Sequence, residues 1–177
     1  MPDAHQPLPP FDTARLASLV DFAFRAHDQF ANESRKRFRK WDGRTPYAIH
    51  PVWCAMTILT ETTLPEDVRY DGALALLLHD VLEDTHAPLP SRLPPRVEAL
   101  VEERTFASFE EEHELIWGRS ELCRLLTTYD KVSNLLDANW RTNKRDLYVA
   151  YTLRLANEAE RRWGTLNIVR IARAIAI

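Results

Sequence analysis

Glycine is scarce in this sequence. Gly43, Gly72, Gly118 and Gly164 are the four present among 177 residues, where average usage predicts roughly a dozen. Walker-type phosphate loops, dinucleotide-binding fingerprints and tight hairpins each need several glycines at positive φ or in close backbone contact. No GxGxxG or GxxxxGK[ST] string is present. Cysteine is equally sparse: Cys54 and Cys123 lie among apolar residues in helix-like stretches, which favours buried, reduced thiols over a disulfide framework or a zinc knuckle. No apolar run approaches the roughly 18 residues of a membrane span. The opening MPDAHQPLPP lacks the basic start and apolar stretch of a signal peptide, so the default compartment is the cytoplasm. A net charge of -3 gives the whole molecule no general attraction to DNA or to an anionic membrane, and any polyanion must be bound locally.

What is present is helical periodicity. With 45% hydrophobic residues the chain can build one substantial core, and a single domain over 1–177 is expected, with 1–11 a flexible N-terminal segment. Leu16, Leu19, Val20, Ala23, Phe24, His27 and Phe30 mark one face of a first helix, capped at Asp12 or Thr13. A basic loop, RKRFRKWDG, covers 35–43, and Thr45-Pro46-Tyr47 predicts a short helical turn. A second helix is expected over 50–62. The third begins near Pro65 and carries Val68, Ala73, Leu74, Leu76, Leu77, Leu78, Val81 and Leu82 in one run, apolar nearly all round and therefore central. After a Pro-rich connector over 87–95 come short helices over 96–103 and 109–117, a long helix over 121–140, and two more, over 144–163 and from 166 onward, parted by Gly164. No strand pattern or repeat is seen, so the expected fold is an all-α bundle of about seven to nine helices.

The string His79-Asp80 followed by Glu83-Asp84 stands out inside the apolar run. On a continuous helix these positions share one edge. Three carboxylates and an imidazole there are costly unless a cation or hydrogen-bond donors compensate, or unless the helix end simply emerges into solvent. His50, at the start of the second helix, and Asp130, interrupting the apolar pattern of the long helix one turn before Asn134, add to the set. Two imidazoles and two carboxylates suit a divalent Mn, Fe or Zn ion with open positions for water. Taken singly, each has a plainer explanation as a cap or a solvated side chain.

His50, His79-Asp80 and Asp130, in that order on separate helices, resemble the H…HD…D signature of HD-domain metal-dependent phosphohydrolases. The strings RKWDGRTPYAIHP, LLLHDVLEDT and YDKVSNL resemble the RK…PYxxHP, HDxxED and DxxxN motifs of the (p)ppGpp hydrolase domain of RelA/SpoT proteins, especially the stand-alone small alarmone hydrolases. The resemblance spans roughly 16–143. It implies an HD-type bundle in which His50, His79, Asp80 and Asp130 bind one metal ion, Mn(II) foremost, with Fe, Co or Zn as alternatives. It also implies that Glu83 and Asp84 position or deprotonate the attacking water, and that Asn134 holds substrate beside the metal. Arg39 and Lys40 would lie along the nucleotide base and its phosphates. The implied reaction removes the 3′-diphosphate of a guanosine nucleotide such as ppGpp, giving GDP and pyrophosphate.

The physical chemistry is compatible with that set. A bound metal acidifies water and neutralises phosphoryl charge, so no covalent nucleophile is needed, and Glu83 lies one turn beyond His79, where it can take a proton. The basic segment supplies the local positive charge that the net balance lacks. Arg39 suits a phosphate or a purine face better than a lysine does, Arg44 can reach a phosphate, and Tyr148 or Tyr151 can stack on a base unless they belong to the core. Two departures from the family pattern are visible: nine residues, 30–38, separate Gln29 from Arg39, and an acidic run, Glu110 to Glu112, follows LVEERT. The expanded loop leaves a second substrate class open, another phosphorylated nucleotide such as a nucleoside 3′-phosphate, a modified alarmone or NADPH. A non-catalytic nucleotide-binding domain is a third reading, opposed by the intact Glu83-Asp84 pair. No synthetase domain is expected, and the oligomeric state is left open, a homodimer included.

Overall fold

The helical periods are realised as α1 (Thr13–Gln29), α2 (Ile49–Leu59), α3 (Glu66–Leu78), α4 (Val81–Asp84), α5 (Pro95–Glu103), α6 (Phe109–Leu115), α7 (Glu121–Leu135), α8 (Thr142–Trp163) and α9 (Asn167–Ile175), with 3-10 turns at Ser34–Arg37 and Ile116–Gly118. The computed structural model describes residues 12–137 and 142–176, side chains at 142 and 143 excepted. The expected N-terminal segment 1–11 lies outside these residues. Among the described residues the only β pairing is two isolated antiparallel bridges, Ala31 with Thr85 and Phe38 with Pro46. The fold is all-α.

Helix α3 is the central element, as its all-round apolar sequence predicts: Ala73, Leu74, Ala75, Leu76, Leu77 and Leu78 are wholly buried. Helix α2 packs against it most extensively, α1, α5 and α7 take its other faces, and α8 and α9 close over α7. Gly72 lets α2 and α7 pack close against α3, since a Cβ there would lie 2.8 Å from Ile58 Cδ1 and 3.1 Å from Leu126 Cδ2. Side chains of Asp12, Ser108 and Ser120 accept from the first-turn amides of α1, α6 and α7, and Gly164, at φ 83°, ends α8 in the left-handed region. Cys54 and Cys123 are buried and free.

Three boundaries differ from expectation. The long helix α7 ends at Leu135, short of the expected 140, whereas the turn expected at Thr45-Pro46-Tyr47 does form, with the Ile49 amide donating to the Pro46 carbonyl at 3.1 Å and the His50 amide to the Tyr47 carbonyl at 2.9 Å, while Pro46 also bridges to Phe38. Helix α2 stops at Leu59, where Thr60 Oγ1 donates to the Thr57 carbonyl at 2.7 Å. The third correction bears on function: the long central helix ends at Leu78, and α4 starts again at Val81. The Leu76 carbonyl, which an unbroken helix pairs with the amide four residues on, accepts from His79 Nδ1 at 2.7 Å. Asp80 sits at φ -94°, ψ -3°, in the bridge region frequent at active sites.

Glu61, just past α2, fastens the C-terminal helix. Its buried carboxylate accepts from the amides of Asn167 and Ile168, each at 2.9 Å, and from Tyr129 Oη at 3.2 Å, so one acid satisfies two orphan donors at the start of α9. Glu61→Ala is expected to lower the unfolding free energy by about 2–4 kcal/mol and Glu61→Gln by roughly half as much. Urea denaturation measures both, and a loss below about 0.5 kcal/mol for the alanine variant would contradict the role.

Candidate active site and metal centre

Two helices and the break between α3 and α4 deliver the polar residues to one buried point. His50 enters from the first turn of α2, where Pro51 is tolerated because no helical amide is required of it. His79 and Asp80 occupy the break, and Asp130 comes from the middle of α7. The two Nε2 atoms of His50 and His79 face each other at 3.1 Å. Asp130 Oδ1 lies 3.2 Å from the first and 3.7 Å from the second. Donor atoms of His50, His79 and Asp130 all fall within 4.8 Å of one another. Asp80 stands beside this trio with one oxygen on each ring, Oδ1 at 3.1 Å from His79 Nε2 and Oδ2 at 3.5 Å from His50 Nε2.

The second layer turns these atoms inward. His50 Nδ1 is 2.8 Å from Ser133 Oγ, and His79 Nδ1 is taken by the Leu76 carbonyl, which leaves its Nε2 lone pair for the shared point. Tyr47 Oη donates to Asp80 Oδ2 at 2.8 Å. Asp130 is divided between two duties. Its Oδ2 meets Lys131 Nζ at 2.8 Å and an Arg104 amine at 3.2 Å, while Oδ1 accepts from Asn134 Nδ2 at 2.7 Å and faces the imidazoles. Lys131 also holds Glu112 at 2.7 Å, and Glu112 takes the Tyr151 hydroxyl at 2.9 Å. Glu112 of the acidic run therefore points into the protein, where it neutralises a buried lysine.

Burial pushes the Asp80 carboxyl up, but the facing His79 and His50 more than reverse that and leave it at about 2. For Asp130, burial is outweighed by Lys131, the two imidazoles and Arg104, which hold its carboxyl well below the usual carboxylate range. Burial lowers His50. On His79 burial is overcome by Asp80 and Asp130, which raise it above an ordinary imidazole. The cluster thus draws positive charge to the space between the rings. Two imidazole lone pairs and two carboxylates around one point are a donor set that fits a divalent cation.

Glu83 and Asp84 border this centre. Burial, reinforced by Asp80, raises Glu83 to about 7, although the Phe106 amide donates to its Oε1 at 2.8 Å. Burial and Asp80 likewise raise Asp84, opposed by the ion pair it makes with Lys36. Arg39 is buried, donates to Asn134 Oδ1 at 3.2 Å, and lies 5.5 Å from the centroid of the Tyr47 ring. The two predicted substrate residues are thus brought together over the metal-facing side of α7. Lys40 and Arg44 lie exposed on the loop. Tyr148 is buried, stacked on Phe109, with Lys131 Nζ 5.6 Å from its ring centroid and its hydroxyl hydrogen-bonded to Asn134.

Tyr47, Lys36, Arg104, Lys131 and Ser133 were not assigned from sequence. Ser133 had a usable signal, one turn from Asp130. Lys131 is the sequence neighbour of Asp130, whereas its pairing with Glu112 and that of Arg104 with Asp130 join separate elements and leave no local spacing.

No family model and no curated protein matches the sequence. The fold is similar to a solved structure of a metazoan ortholog of SpoT described as hydrolysing ppGpp and playing a role in starvation responses, with TM-score 0.70 and 24% identity over 97% of this chain and 96% of that chain. The two chains share one all-α fold over nearly their whole length. Among the described residues no helix is long and apolar enough to cross a membrane.

Mn(II) added to metal-free protein at about 100 times its dissociation constant is expected to add about 2.7 kcal/mol of stability. His79→Ala and Asp130→Ala should abolish that gain in a thermal melt. Because the ion displaces a proton that the carboxylates favour on His79, its affinity should rise with pH. An equal stabilisation in the variants, or an affinity that falls as pH rises, would contradict the assignment.

Proposed function

We propose that this chain is a metal-dependent (p)ppGpp 3′-pyrophosphohydrolase, which converts ppGpp and water to GDP and pyrophosphate. The observation that carries the proposal is the convergence of His50, His79, Asp80 and Asp130 beside the Glu83-Asp84 pair. The likeness of the fold to the ppGpp-hydrolysing SpoT ortholog supports it. A divalent ion held by the four ligands, Mn(II) foremost and Fe, Co or Zn as alternatives, supplies a water of lowered pKa and neutralises phosphoryl charge.

The remaining work falls to side chains. Glu83, close to neutrality in pKa and fixed by the Phe106 amide, accepts the proton of the attacking water. Asp84 orients that water. Asn134, anchored on Asp130, and Arg39, anchored on Asn134, form a ledge on which the guanidinium forks onto a phosphate or lies against the purine. Lys40 and Arg44, exposed on the same loop, attract the polyanion from solvent. The leaving 3′-oxygen recovers a proton from Glu83.

The expanded loop before Arg39, which brings a lysine onto Asp84, favours a second substrate class: another phosphorylated nucleotide, such as a nucleoside 3′-phosphate, a modified alarmone or NADPH. Release of phosphate and pyrophosphate across such a panel separates the two readings. With ppGpp, Glu83→Gln is expected to lower kcat by at least about 100-fold. A base must be unprotonated, so activity should rise with pH through an ionisation at or below about 7, a bound cation shifting it downward, and Glu83→Gln should erase that limb. Stoichiometric pyrophosphate release with this profile supports the reading, and metal-loaded protein that leaves ppGpp intact contradicts it.

A further inference from the structure

The insertion between Gln29 and Arg39 is pinned at both ends. Asn32 donates twice to the end of α4, from its amide to the Asp84 carbonyl at 3.0 Å and from Nδ2 to the Glu83 carbonyl at 2.9 Å. The His86 amide returns a bond to the Phe30 carbonyl at 2.8 Å. At the far end the Tyr47 amide donates to the Arg37 carbonyl and the Arg39 amide to the Thr45 carbonyl, each at 2.8 Å. The 3-10 turn Ser34–Arg37 between these anchors deals out three successive cations. Arg35 pairs with exposed Glu33 and Arg37 with exposed Asp28. Lys36 turns inward onto Asp84, with 30% of its side chain still exposed.

We propose that Lys36 is a further substrate-binding residue, which holds Asp84 in the free protein and takes an oxygen of the substrate's diphosphate when the site is filled. This rests on the hydrolase reading of the site. Charge placement carries it. Arg104 and Lys131 are committed to Asp130 Oδ2 from the interior, and Arg39 reaches Asn134 and Asp137 on the α7 side. A diphosphate brought against Glu83 and Asp84 would meet two acids, and Lys36 is the side chain of the pinned turn that places positive charge there. An ammonium has three donors on a flexible stem, so it can keep one bond to Asp84 and give another to phosphate. Its partial exposure leaves that second donor on the open side of the pair.

The test uses the full chain loaded with Mn(II), and inorganic pyrophosphate as the probe, followed by calorimetry. Lys36→Met is expected to weaken pyrophosphate binding about tenfold, and Lys36→Arg, which keeps the charge, to restore it to within about threefold. Arg37→Met, which removes the exposed pair with Asp28, should leave pyrophosphate affinity within about twofold. Mn(II) affinity should be unchanged in all three. The inference is overturned if wild-type protein does not bind pyrophosphate, if Lys36→Met binds it as wild type does, or if Lys36→Met loses Mn(II) and pyrophosphate together. If pyrophosphate binding depends on Lys36 while ppGpp is left uncleaved, the substrate reading fails and the assignment of Lys36 stands.

Discussion

Asp80 and Asp130 are buried within reach of the same two imidazoles, and the rest of the molecule is arranged around the positive charge they require. An uncompensated buried carboxylate costs several kcal/mol, so two of them directed at one point cannot be incidental to the packing. The protein meets part of the demand itself. Lys131 and Arg104 neutralise the rear oxygen of Asp130, and Tyr47 donates to Asp80. The front oxygens and both Nε2 atoms remain directed at a common space, which is where a divalent ion satisfies all of them at once.

The scaffold explains how such a site is kept rigid without glycine loops. Its ligands stand on helices or at a helix break, each tied by a second contact: His50 to Ser133, His79 to the Leu76 carbonyl, Asp130 to Asn134. The break at His79-Asp80 links sequence to chemistry most directly. The helix ends at Leu78 although apolar residues run on past it, and His79 Nδ1 bonds to the Leu76 carbonyl at that end. Glu83 and Asp84 then stand on the short helix beyond, with their pKa values raised by burial and by the neighbouring aspartate.

The fold was legible from sequence because helical periodicity is a local signal: the buried run of α3 and the cap at Asp12 are readable over a few residues. The four candidate ligands were legible because histidine and aspartate break an apolar pattern. What escaped was decided by tertiary contact. The continuous helix drawn through His79 is contradicted by one side-chain hydrogen bond. Tyr148 has the spacing of a core residue and is one, and Lys36, one cation in a row of three, differs from its neighbours only because Asn32 fixes the turn against α4.

A metal centre at this site requires one cation between His50, His79, Asp80 and Asp130. Crystals grown with Mn(II) and measured at the manganese absorption edge test it most directly. One strong anomalous peak in contact with His50 Nε2, His79 Nε2 and a carboxylate oxygen of each aspartate is expected. The four side chains converged as they are here, with no peak among them or with the ion bound elsewhere, would contradict it.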